Sequence, residues 1–93
     1  MEMQKNVQVG DVVESTAGRD KGLNLIVVKS DGNQVWLTDG RTRKVTALKK
    51  KSKKHIKIIL SDADKPLAER IAQGNPVSNE RVKRLIASVQ KLK

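Results

Sequence analysis

The sequence predicts a mainly β fold, a small five-stranded barrel followed by one or two C-terminal helices, and three observations carry that expectation. Short apolar stretches alternate with turn signals up to about residue 60, the composition then shifts to helix-start and helix-stop residues, and 93 residues leave room for one compact core. The expected division is residues 1–60 as the barrel and residues 61–93 as a helical extension.

Residues 9–15 form the expected first strand, carrying Val9, Val12 and Val13 in an alternation too imperfect to say which face is buried. Residues 25–29, Leu-Ile-Val-Val-Lys, are β-branched and almost wholly apolar, which suits a central strand. Asp31-Gly32 marks a tight turn, with Gln34–Thr38 as the hairpin partner. A second Asp-Gly, Asp39-Gly40, turns the chain into a strand over residues 41–46, and Ile56–Leu60 supplies a fifth. Five short strands hide their edges most economically in an SH3-like barrel, closed or nearly so.

Beyond Leu60, Ser61-Asp62-Ala63-Asp64 is a helix-start composition, Pro66 is acceptable in a first turn and Gly74 is a natural stop, which predicts a short helix over residues 65–73. Asn75-Pro76 breaks the chain, Ser78 or Asn79 caps the next helix, and Glu80 lies in a first turn where the helix dipole favours negative charge. Val82, Leu85, Ile86 and Val89 recur at helical spacing and give one apolar stripe, read more simply as a seam that docks onto the barrel than as a membrane-surface face. Arg81, Lys83, Arg84, Lys91 and Lys93 decorate the remainder.

The formal net charge is +10, from 20 Lys and Arg against 10 Asp and Glu, and a field of that strength on so short a chain draws polyanions. Its distribution sharpens the point. No acidic residue falls between Asp39 and Asp62, whereas Arg41, Arg43, Lys44, Lys49, Lys50, Lys51, Lys53, Lys54 and Lys57 all do. Cysteine is absent and His55 is the only histidine, which removes disulfides, thiol catalysis and zinc sites of Cys and His ligands. No apolar run approaches the roughly 18 residues of a membrane span, and Met1 to Lys5 lack the order of a signal peptide, so a cytoplasmic location is expected.

Ala17-Gly18-Arg19-Asp20-Lys21-Gly22 joins the first two expected strands, and its glycines permit turns that aim backbone amides, Arg19 and Lys21 toward one phosphate. A plain turn with solvated side chains explains the same residues. No Gly-Lys-Ser/Thr ends the loop, so nucleotide hydrolysis is not expected. Arg41 and Arg43, two apart in an expected strand, share a face and form either a phosphate-contacting edge or a charged solvent face. Residues 49–55 read as a flexible arm in which Lys49, Lys50, Lys51, Lys53 and Lys54 neutralise phosphates, against a merely solvated run or a nuclear address. His55 adds a hydrogen bond to a phosphate or base, or sits half-buried at the start of a strand.

Trp36 is the only aromatic residue. On an exposed face its indole would stack an unpaired base for about 1 to 3 kcal/mol; otherwise it covers the barrel end or packs under a helix. With no second aromatic, backbone and shape recognition of folded RNA is favoured over single-strand readout. Asp20, Asp31 and Asp39 are accounted for by turn chemistry, and no catalytic set accompanies His55. Neither an enzyme nor a cofactor, metal site, membrane partner or small-molecule substrate is expected.

The stretch from Val9-Gly10-Asp11 through Lys21-Gly22 to Val28 resembles the KOW motif, in which a Gly-Asp opens the first strand and a glycine after a basic residue closes the loop. It is similar to free-standing bacterial KOW proteins and to KOW-type large-subunit ribosomal proteins of archaea and eukaryotes, which share stretches like residues 17–22 and Asp39-Gly40-Arg41-Thr42-Arg43-Lys44. Ile71-Ala72-Gln73-Gly74 and Ser78-Asn79-Glu80-Arg81-Val82 extend the likeness over most of the chain. Residues 46–49 lack the proline that those proteins often place before their lysine run. The resemblance implies RNA binding, with ribosomal RNA of the large subunit as partner and ribosomal proteins as neighbours. The RNA contacts would come from Arg19, Lys21, Arg41, Arg43, Lys44, Lys49, Lys50, Lys51, Lys53, Lys54 and His55. The alternatives are a protein-interaction adaptor of the transcription or translation machinery, as KOW domains of elongation factors are, and a nucleoid-type DNA binder.

Overall fold

The computed structural model describes residues 6–91, so Met1 to Lys5, Leu92 and Lys93 lie outside the described residues. Five strands, β1 (Val12–Ser15), β2 (Asn24–Asp31), β3 (Gln34–Thr38), β4 (Lys49–Ser52) and β5 (Ile56–Leu60), precede two helices, α1 (Lys65–Ala72) and α2 (Asn79–Gln90). The strands form one antiparallel sheet in the order β4-β3-β2-β1-β5. Its two outer strands are consecutive in the chain, joined only by a single 3-10 turn at Lys53–His55.

β2 is central because Leu25, Ile26, Val27 and Val28 are buried on both of its faces. Leu25 and Val27 meet Val13, Val35, Leu37, Ile56 and Val7 in a core made by strand faces and the segment leading into β1. Ile26 and Val28 meet Val12 and the helices on the other side, where Leu67, Ala68 and Ile71 of α1 join Val82, Ile86 and Val89 of α2. Full burial of such side chains stabilises the fold by about 1.5 to 3 kcal/mol each. The α2 stripe therefore docks on the sheet as its spacing predicts.

The helix starts follow from capping. Asp64 Oδ1 accepts from the Leu67 amide at 3.1 Å, and Ser78 Oγ accepts from the Arg81 amide at 3.2 Å. Asn79, the other cap candidate, instead turns its Oδ1 to the Val45 amide at 2.9 Å and ties α2 to the loop of residues 39–47.

The structure corrects three expectations. β1 begins at Val12, because Gly10-Asp11 forms a joint: Asp11 is buried, its Oδ2 accepts from the Gln8 amide at 2.9 Å and its Oδ1 from the Asp62 amide at 2.8 Å. Residues 41–46 are not a strand. Asp39 Oδ1 accepts from the Arg41 and Arg43 amides at 2.9 and 2.8 Å, while the Asp39 and Gly40 amides both donate to the Arg43 carbonyl, so this backbone closes on itself. The lysine run is no flexible arm, since Lys49–Ser52 is β4 itself, paired with β3 from Leu37↔Lys49 to Gln34↔Ser52. Lysine stems supply apolar methylenes to the sheet, and charge on an outer strand discourages edge-to-edge association.

Candidate nucleic-acid interface

Three segments far apart in sequence converge beside β4. The loop after β1 brings Arg19 and Asp20, the loop after β3 brings Arg43, and β4 brings Lys49 and Lys51; together they line a cleft of about 300 Å³. Arg19 is exposed while Arg43 and Lys49 are half-buried. Among the described residues none of these three cations is held in an ion pair.

Lys51 differs from its neighbours. Its Nζ lies 3.1 Å from Asp20 Oδ1 and donates to the Ala17 carbonyl at 3.0 Å, with the two side chains only 9 and 13 % exposed. Ser15 Oγ donates to the same Asp20 oxygen at 2.8 Å. Burial alone would raise the Asp20 carboxyl, but hydrogen bonds from Ser15 and Lys51 and the Lys51 charge outweigh it and hold the carboxyl below its usual range. Lys51 thus ties β4 to the first loop, its ammonium engaged by Asp20 and the Ala17 carbonyl.

The first loop is also closed more tightly than a phosphate cradle. Its Lys21, Gly22 and Leu23 amides donate to the Gly18, Ser15 and Asp20 carbonyls, so these three backbone donors are already used. What the loop offers a ligand is side-chain charge, from Arg19 and the exposed Lys21.

The loop of residues 39–47 holds Arg43 at the cleft while Arg41 and Lys44 are exposed. A close approach fixes this loop: Gly40 has φ +74°, and a Cβ there would lie 2.4 Å from the Asn79 carbonyl oxygen at the start of α2. Arg43 therefore reaches the cleft from a buttressed loop on which Arg41 is exposed, and the two arginines do not share a strand face. Lys50 points away from the cleft, opposite Trp36 across the β3–β4 ladder. Lys53, Lys54 and His55 form the 3-10 turn beyond, where Lys54 and His55 are exposed and the His55 carbonyl accepts from the Thr16 amide.

Trp36 belongs to neither apolar core and is half-buried on the face opposite Val35 and Leu37, with Lys29 Nζ 4.7 Å from its ring centroid. The Lys51–Asp20 tie escaped the sequence reading because Lys-Lys-Lys-Ser carries no sign of which lysine turns inward, although inward charge on an outer strand is a recurrent protective device. Among the described residues no group of three His, Asp or Glu side chains is placed to hold a metal, and no helix is long and apolar enough to cross a membrane. The chain matches no family model and no curated protein.

Proposed function

We propose that this chain is a non-enzymatic RNA-binding protein of KOW type, an SH3-like barrel with two docked helices that works in the cytoplasm on ribosomal RNA of the large subunit. The observation that carries the reading is the convergence of Arg19, Arg43 and Lys49 on one cleft, with Lys21, Arg41 and Lys44 on the same two loops. The single acid at that cleft, Asp20, is already engaged by Lys51. Guanidinium forks and ammonium groups on constrained segments suit the phosphates of a folded RNA, where neutralisation releases counterions.

The strand order supports the SH3-like reading, because the two outer strands are consecutive and linked by one 3-10 turn while β1 pairs with both β2 and β5. The KOW reading draws on the resemblance of residues 9–28, where Gly10-Asp11 makes the joint before β1 and Lys21-Gly22 closes the loop.

Sedimentation of the tagged protein from a native lysate, at low and high salt and with and without ribonuclease, tests the proposal. Salt-resistant comigration with the large subunit, lost after extensive ribonuclease digestion, is the expected result. Absence from ribosomal fractions at both salt concentrations would overturn the ribosomal assignment.

A further inference from the structure

β4 presents different chemistry on its two faces. Alternation along the strand sends Lys49 and Lys51 to the cleft and Lys50 to the opposite side, where it faces Trp36 across the ladder. On the other flank of Trp36 its β2 partner is Lys29. A Lys29–Trp36–Lys50 row therefore crosses three strands, with both lysines exposed and, among the described residues, neither in an ion pair.

This row is not accounted for by packing. Trp36 joins neither core cluster, and the aliphatic and cationic side chain of Lys29 is the neighbour over its ring. An indole on a sheet surface between two cations matches the chemistry of one nucleotide of a single strand, a planar base flanked by phosphates. β4 is also an outer strand, so a strand of RNA leaving the cleft has only that edge to cross before reaching the row.

Resting on the RNA-binding reading, we infer that Trp36 is a stacking site for one unpaired base of a single-stranded RNA segment, with Lys29 and Lys50 holding the phosphates on either side. The Lys29 ammonium moves from the ring to a phosphate as the base arrives. A cation over an exposed ring contributes less than a stacked base does, so the exchange is favourable. The site reads no sequence, because every base has a face to stack.

Trp36 is the only tryptophan, so intrinsic emission reports this position alone. The test titrates the protein with fluorescein-labelled octaadenylate, followed by anisotropy, and with unlabelled octaadenylate, followed by Trp36 emission. A labelled RNA hairpin of similar charge is the control. Quenching over the same concentration range as the anisotropy rise is expected, and Trp36→Ala should weaken octaadenylate binding about tenfold while leaving the hairpin within about twofold. Trp36→Phe, which keeps a ring, should recover part of the loss. An anisotropy rise without quenching, or wild-type affinity of folded Trp36→Ala for octaadenylate, overturns the stacking site and leaves the RNA-binding reading standing. Failure of both RNAs to bind overturns both. The quenching arm needs no variant, so it decides even if Trp36→Ala does not fold.

Discussion

Lys51 Nζ lies 3.1 Å from Asp20 Oδ1, and this pair fastens an outer strand of the sheet to the loop that follows β1. Removing the ammonium with Lys51→Ala leaves a mostly buried carboxylate with only Ser15 as side-chain donor, so stability should fall by about 2 kcal/mol, the scale of a charged hydrogen bond. Asp20→Asn in the Lys51→Ala background should recover part of that loss, because the stranded charge is gone. Urea denaturation of the two single variants and the double variant closes the cycle; strictly additive losses would show that the two groups do not communicate.

The same pair makes stability depend on pH in one direction. The folded Asp20 carboxyl is held below its ordinary value near 3.8, so between the two values the unfolded chain binds more protons and stability rises with pH. The contribution is fully present above the unfolded pKa and is lost as pH falls through the depressed folded one. Wild type and Asp20→Asn should therefore differ most in urea midpoint near neutrality and converge in strong acid. A gap that stays constant down to the lowest pH would disconnect Asp20 from the acid limb.

Two glycines mark where the helices touch the sheet's connections, and their replacement should be costly. A Cβ on Gly10 would lie 2.6 Å from Lys65 Cα at φ +99°, against the backbone that starts α1. Gly10→Ala and Gly40→Ala should each destabilise by more than about 2 kcal/mol, from positive φ and steric displacement together. Gly32→Ala provides the comparison, since a Cβ there meets nothing within 4 Å and only the backbone penalty of about 1 kcal/mol remains. Equal melting temperatures for the three variants would remove the role assigned to these contacts.

Much of the fold was legible where apolar residues display a period. Gln34–Thr38 and Ile56–Leu60 were readable to the residue, and the α2 stripe gave both the helix and its docking face. β4 was not legible, because a strand spelled Lys-Lys-Lys-Ser carries no apolar alternation and becomes a strand only through its ladder to β3. Asp39-Gly40 misled for a related reason: the dipeptide signals a turn, but the Asp39 side chain captures two following amides and prevents a ladder, and nothing local reveals that. The basic cluster was visible in composition. Its division into Arg19, Arg43 and Lys49 at the cleft, Lys51 in a tie and Lys50 beside Trp36 depends on contacts between distant segments.

That division yields the sharpest expectation for binding. Each phosphate contact removed lowers the slope of log affinity against log salt by roughly 0.9 for a duplex or 0.7 for a single strand. Arg19→Ala, Arg43→Ala and Lys49→Ala combined should therefore weaken RNA binding and flatten the slope by about 2 to 3. Arg41→Ala and Arg43→Ala together, taken from one buttressed loop, should flatten it by between 1 and 2 on the same approximate scale. The charge-conserving replacement of Lys51 by Met with Asp20 by Asn removes a tie whose two charges already cancel, so affinity and slope should stay near wild type. Filter-binding or anisotropy titrations over a range of salt measure all four proteins. If the Lys51 and Asp20 replacement flattens the slope as much as the triple variant does, although the net charge is unchanged, Lys51 contacts phosphate as the cleft cations do and its assignment as a structural tie is overturned.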